Sequence, residues 1–213
     1  MNSTDLTHVA FPAFERLKHS TLCPFASGAL VESAPMWDAL RSPTENLEIV
    51  AESLVGFCTA AEESRLHGFV VQVGGESSSF EGVRLLFRWF VEELSRLDPG
   101  KSKCMEEDKF RRDWQFEFAR VRLFLNVFAA CYPQKHSKYC SDLENIYIFF
   151  QPEFSFDFCG ISSARVREKQ RIRKAFADAE MPYSGDMIDG RVEALLYMFP
   201  LSAGDPPVVW WRP

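Results

Sequence analysis

One segment, WQFEFARVRLFLNVFAA at 114–130, constrains the fold of this chain more than any other. Aromatic side chains occupy every second position from Trp114 to Phe118, and apolar side chains occupy every second position from Val121 to Val127, in the opposite parity. Because strand side chains alternate between two faces, this change of parity requires a tight turn or a bulge. We predict a β-hairpin in which 114–118 pairs with 122–129, with its turn at Ala119-Arg120.

Apolar residues at helical spacing predict the helices, and short apolar runs predict the remaining strands. The predicted helices are 45–63, capped by Thr44, then a helix from the serines at 77–79 to 97, a helix from Ser162 or Ser163 to Glu180, and a last helix over 190–199. The predicted strands outside the hairpin are 68–73 and 146–151. We expect the first 35 residues to be irregular and the charged segment 101–113 to be an exposed loop.

The order of these elements predicts an α+β fold. Helix, strand, helix, hairpin, strand and helix follow one another, which favours a single domain over 1–213 with a mainly antiparallel sheet and a central hairpin, covered by helices on one face. The ends, 1–18 and 201–213, are predicted to be peripheral. With 213 residues, 46% of them hydrophobic and 20 of them Phe, the chain can fill a large aromatic core.

Charge and cysteine spacing narrow the classes of partner. A net charge of -6 argues against nucleic acid as a partner, and no apolar run is long enough to predict a membrane-spanning helix. The N-terminus lacks the pattern of a signal peptide, and the 6 cysteines form no CxxC pair. We therefore expect reduced thiols and a cytoplasmic protein.

Two loops carry the residue types from which a functional site could be built. The segment CYPQKHSKYC at 131–140 brings Cys131, Tyr132 and His136 together, and thiolate, phenolate and imidazole all bind iron. The alternative is a polar loop whose cysteines face inward. The segment HSTLCPFASGA at 19–29 could be a ligand loop containing His19, a tight turn, or a loop with a reactive thiol at Cys23. The spacing of its residues does not distinguish these three alternatives.

The late helix has a dense basic face that begins at Arg165. Such a face could bind an anion, for example a cofactor propionate or a substrate carboxylate. The alternative is a solvated face whose charges pair along the helix.

Several short motifs resemble those of the YqcI/YcgG family. They are W-x-F-x-F at 114–118, Tyr132-Pro133 after the hairpin, FFQP at 149–152, HSTLCPFASGA, the FVVQV strand with the helix after it, and YMFP at 197–200. The resemblance covers roughly residues 15–200. It implies a haem-dependent monooxygenase that hydroxylates the nitrogen of an amino-acid-like amine or guanidine, with electrons supplied by a reductase.

The chain departs from the family at the positions of its histidines. Where many haem-binding members have Leu-His-Pro and Asn-Pro-His, this chain has Cys131-Tyr132-Pro133 and Gln151-Pro152-Glu153. The resemblance therefore points to His19 as the first candidate iron ligand, then to Tyr132 and Cys131, and then to His136. On the basic face of the late helix, Arg165 is the candidate contact to the cofactor. The alternative is a haem-less member that binds a small ligand or acts as an interaction module. The sequence predicts no oligomeric state.

Overall fold

A five-stranded sheet organises the chain. The computed structural model describes residues 11–158, 166–180, 192–202 and 204–213. In the helix that begins at 166, side chains are described from 170 onward. The strands are β1 (Val31–Ser33), β2 (Gly68–Gly74), β3 (Phe116–Phe118), β4 (Val121–Phe128) and β5 (Asn145–Pro152). Their order is β1-β2-β5-β4-β3, and of these neighbours only β1 and β2 are parallel. The predicted α+β fold with a mainly antiparallel sheet is confirmed.

The hairpin forms where the change of parity predicts it. Phe118 pairs with Val121, so Ala119 and Arg120 make a two-residue turn, with φ of 50° and 64°. Positive φ at both central residues characterises the turn whose twist matches that of paired strands. The hairpin lies at one end of the sheet rather than at its centre, because β3 is an edge strand.

Helices lie before, between and after the strands. They are α1 (Pro12–Ser20), α2 (Pro43–Ala60), α3 (Phe80–Arg96), α4 (Ser155–Phe158) and α5 (Val166–Asp178). The cap of α2 is Ser42 rather than Thr44, because Ser42 and Glu45 form a reciprocal capping box. Near the C-terminus, the predicted helix over 190–199 is reduced in its described part to a 3₁₀ turn, Glu193–Leu196. None of the described helices has the length and apolar character needed to cross a membrane.

The described parts of both ends pack against the rest of the structure around Phe14 and Trp210, which corrects the prediction that these parts are peripheral. The first 35 residues contain α1 and β1, and Phe14 of α1 is buried against the aromatic rings of Tyr147 and Phe149. Trp210 is 0% exposed and its indole N–H donates to the Ala194 carbonyl at 2.7 Å. The nine residues of α1 are too few to show a clear period in sequence, and burial of aromatic rings fixes both segments.

Both faces of the sheet are covered, whereas the sequence predicts cover on one. Helices α2 and α3 pack on the first face and enclose the larger core, which includes Phe57, Phe87 and Phe90. On the second face, α1 builds a smaller cluster with Val70 and Tyr147. This second cover is partial, and the space beside it becomes the candidate site.

A buried carboxylate ties the end of α3 to the hairpin turn. Asp98 is buried, and its Oδ1 accepts hydrogen bonds from the backbone N–H of Gly100 at 2.9 Å and of Ala119 at 2.7 Å. Its Oδ2 accepts from the N–H of Ser102 at 2.8 Å. Charged acceptors of backbone N–H groups form the stronger class of hydrogen bonds.

We predict that Asp98→Asn lowers the free energy of unfolding by about 1–3 kcal/mol, because an amide N–H₂ would face a backbone N–H donor and the charge would be lost. Urea unfolding followed by circular dichroism measures the change. Glu48→Gln is the matched control, since Glu48 lies on the exposed face of α2. Equal stability of the two variants would contradict the role of Asp98.

Candidate functional site

A cavity of about 790 Å³ lies over the second face of the sheet. Its walls come from α1, from the segment 21–29, from α4 and α5, and from the turn at 193–196. Small-molecule sites in proteins commonly have volumes of about 300–1,000 Å³. The cavity is therefore large enough to enclose a small organic molecule.

The alternation along β4 and β5 gives the cavity its floor. Leu123, Leu125 and Val127 are buried in the larger core, so the residues between them face the other way. Phe124, Asn126 and Phe128 of β4 and Phe149 and Gln151 of β5 line the cavity, and Asn126 is paired with Phe149 and Phe124 with Gln151. The backbone hydrogen bonds between β4 and β5 therefore hold these five side chains in position along the floor.

A glycine makes room for one ring of this floor. A Cβ added to Gly68 would lie 2.2 Å from the ring of Phe149 and 2.9 Å from the Phe150 carbonyl oxygen. The strand β2 can therefore carry only glycine here if Phe149 is to keep its place in the cavity.

Lys138 is the charged residue buried most deeply among those that line the cavity. It is 6% exposed, and its Nζ donates to Oδ1 of Asn126. The same Nζ lies 4.9 Å from the centre of the Phe128 ring and 4.6 Å from that of Phe199. Burial lowers the pKa of Lys138 to about 7. No carboxylate of the described chain lies within ion-pair distance of this amine.

An acidic group marks the opposite end of the floor. Glu193 receives a hydrogen bond from Gln115 Nε2 at 2.8 Å and another from the Tyr197 hydroxyl at 2.9 Å. Burial raises the pKa of Glu193. The other amide atom of Gln115, Oε1, is buried and has no hydrogen-bond partner among the described residues.

Two of the predicted iron ligands are engaged with backbone groups instead. The hydroxyl of Tyr132 donates to the Phe199 carbonyl at 3.1 Å, and burial raises the pKa of Tyr132. His136 accepts the Lys138 N–H at Nδ1, at 3.0 Å, so Nε2 carries the proton of the neutral ring and donates to the Pro200 carbonyl at 3.1 Å. Burial lowers the pKa of His136 to about 4, and its ring stacks on Tyr132 with centroids 4.4 Å apart.

The remaining predicted site residues lie elsewhere. The side chain of His19 is 60% exposed, 3.7 Å from the Glu15 carboxylate, in a shallow cleft beside Tyr139 that is separate from the main cavity lining. Cys131 is half-buried against the larger core, and burial raises its pKa to about 11. Arg165 lies outside the described residues. In α5, Lys174 pairs with Asp178 at 2.7 Å in an exposed position, as in the solvated-face alternative.

The positions of the predicted ligands determine whether a haem could be bound in the cavity. The volume and aromatic walls of the cavity suit a flat apolar group, but the four predicted ligands do not face it. His67 does line the cavity, yet its Nδ1 accepts the Leu30 N–H at 3.1 Å, which leaves the proton of the neutral ring on Nε2. Within the described ranges, no three His, Cys, Asp or Glu side chains group as a metal site. The predicted ligand set therefore does not fit a haem in this cavity.

Sequence reasoning did not single out Lys138 or Asn126. Asn126 carries the one available signal, because it is a polar residue in the otherwise apolar FLNVF of β4. Lys138 lies two residues after His136 in a polar loop, and nothing in the local pattern indicates that its side chain is buried.

We predict that acid destabilises the protein through His136. Its folded-state pKa of about 4 lies below the ordinary value near 6.5, so the unfolded chain binds the proton first and stability falls as the pH drops from about 6.5 toward 4. Urea unfolding over this range should show a shallower pH dependence for His136→Gln than for the wild type. The exposed His19→Gln is the matched control and should keep the wild-type slope. Identical slopes for wild type and His136→Gln would contradict the prediction.

Comparison with known proteins adds no assignment to this geometry. No protein-family model, no curated protein and no solved structure matches the chain significantly. The function of the cavity therefore has to be argued from its own residues.

Proposed function

We propose that the protein binds a small organic molecule with an apolar body in the cavity between the second sheet face, α1 and α5. One observation carries this proposal: a cavity of about 790 Å³ whose floor is a hydrogen-bonded strand pair and whose walls are mostly apolar side chains. Pockets that combine an apolar lining with a few placed polar groups are typical small-molecule sites.

Aromatic rings dominate the apolar lining. They come from helices, strands and loops around the cavity: Phe14, Phe25, Phe124, Phe128, Phe149, Phe154, Phe156 and Phe176. A ligand ring or chain placed among them would leave water, which contributes roughly 25 cal/mol for each Å² of apolar surface buried. Edge and face contacts between rings add geometric selectivity for flat groups.

Two hydrogen-bonded pairs of polar groups lie at opposite ends of the cavity floor. Lys138 and Asn126 form one end, and Gln115 and Glu193 form the other. A ligand can therefore be oriented by its polar atoms while its apolar body provides most of the affinity.

Haem-dependent N-oxygenation remains the expectation from the family resemblance, together with the amino-acid-like substrate, the reductase and the cytoplasmic location. The geometry supports the haem-less alternative best, because the predicted iron ligands point away from the cavity or hold backbone groups. Titration with haemin separates the two: a stoichiometric Soret band that His19→Ala or Tyr132→Phe abolishes would favour the haem enzyme.

Filling the cavity tests the binding proposal directly. Ala26 and Ala29 line the cavity, whereas Ser27 between them is exposed. We predict that the wild type binds the fluorescent probe anilinonaphthalene sulfonate saturably. Ala26→Trp and Ala29→Trp should bind it at least about tenfold more weakly, because each indole takes up ligand space, and Ser27→Trp should bind as the wild type does.

Fluorescence titration gives the dissociation constants, and the ligand-induced rise in melting temperature provides an independent measure of binding. Equal affinity in the cavity-filling variants and in Ser27→Trp would place the probe elsewhere and overturn the proposal.

A further inference from the structure

We propose that the cavity takes a monocarboxylate with an apolar body, and that its carboxylate binds against Lys138. This inference rests on the proposed function and names its class of ligand. It follows from the charge at one end of the cavity, from the aromatic floor, and from the acidic groups at the other end.

The Lys138 amine is buried without an ionic partner among the described residues. A buried ammonium group has three donors and is costly unless it is paired with an anion. Lys138 is 6% exposed, and among the described residues its amine has one oxygen acceptor, Oδ1 of Asn126. The Phe128 and Phe199 rings stabilise the cation through their faces but accept no ionic hydrogen bond. A carboxylate from a ligand would supply the missing anion.

Other charged side chains on the cavity lining have partners within the protein. Lys18 already pairs with Glu15 at 3.0 Å, and Glu153 lies 4.0 Å from Arg122. Arg173 has an interaction of its own. Lys138 differs from these groups because the described chain gives it no ionic partner, so an anion entering the cavity gains most at this end.

The acidic groups at the far end of the cavity set the orientation of the ligand and disfavour a second carboxylate. At the far end of the floor, the Arg122 side chain of β4 lies 4.0 Å from the Glu153 carboxylate. Asn126 lies four residues further along β4. At about 3.3 Å per residue, the Asn126 end and the Glu153 end of the floor are therefore roughly 13 Å apart. Glu193 lies with Glu153 at this far end. A ligand whose carboxylate contacts Lys138 therefore extends its body over Phe124 and Phe149 toward acidic groups, which would repel a second carboxylate.

Two other titratable side chains interact electrostatically with the Lys138 amine. Cys23 approaches it from the segment 21–29, and His136 lies in its own loop. His136 stays neutral above pH 5 because its pKa is lowered to about 4. The asparagine and the two rings that contact Lys138 do not titrate, so Cys23→Ala is the control for the neighbouring thiol.

The test compares a carboxylate with its uncharged amide. Isothermal titration calorimetry of phenylbutyrate and of phenylbutyramide should show that the wild type prefers the carboxylate by roughly ten- to a hundredfold, the range for a charge-assisted hydrogen bond. Lys138→Met should bind the two ligands about equally, because the variant loses the charge that favours the carboxylate. Lys135→Met, an exposed lysine in the same loop, should keep the full preference.

A second measurement uses the wild type and so does not depend on folding of a variant. The affinity for phenylbutyrate should fall as the pH rises above 7, by up to about tenfold per pH unit, while the affinity for phenylbutyramide stays constant. Cys23→Ala should show the same profile. Suberate, a dicarboxylate, should bind more weakly than octanoate, the monocarboxylate with the same number of carbons.

The outcomes separate the two proposals. Amide binding that the cavity-filling variants block, without any preference for the carboxylate, would overturn the monocarboxylate inference and leave the proposed function intact. Binding of neither ligand, and of no probe, would overturn both. A carboxylate preference that survives in Lys138→Met would also overturn the inference, because the anion would then be bound elsewhere.

Discussion

The register between β4 and β5 is the constraint on which the rest of the structure depends. Six residue pairs join the strands, from Leu123 with Pro152 to Phe128 with Tyr147. A slip by one residue would exchange the two faces and move Phe124, Asn126 and Phe128 into the core in place of Leu123, Leu125 and Val127. The hairpin turn at 119–120 and the Asp98 carboxylate that holds it fix where β4 begins, and the cavity floor follows from that position.

Incomplete cover of the second face then creates the site. The first face is closed by α2 and α3, which are 18 and 17 residues long, whereas α1 has 9 residues and covers mainly the end of the sheet near Tyr147. The remaining floor is roofed by α5 and by the segment 21–29, in which Cys23 faces the cavity. Cys23 thus belongs to a wall of the cavity, and its thiol is a neighbour of Lys138.

Much of the fold was predictable because its signals are local. The parity change at 119–120, the glycines that end β2 and the apolar stripe of α3 each specify an element within a few residues. The short elements α1 and β1 were not predictable, since nine and three residues carry no clear period and long-range burial stabilises them. The same limit applies to the site. From the sequence, Lys138 is expected to be a solvated loop residue. Its burial depends on packing against Phe128 and Phe199, which are 71 positions apart in the chain.

The stack of Tyr132 on His136 has a consequence for how the molecule opens. Both side chains donate to carbonyls of the C-terminal segment, at Phe199 and Pro200, and the ring of Phe199 in turn covers Lys138. The loop at 131–140 and the segment 192–202 therefore cannot separate without breaking the same bonds. We expect them to behave as one cooperative unit, so that their buried amide hydrogens exchange with solvent together and the cavity loses its charged end in a single local unfolding event.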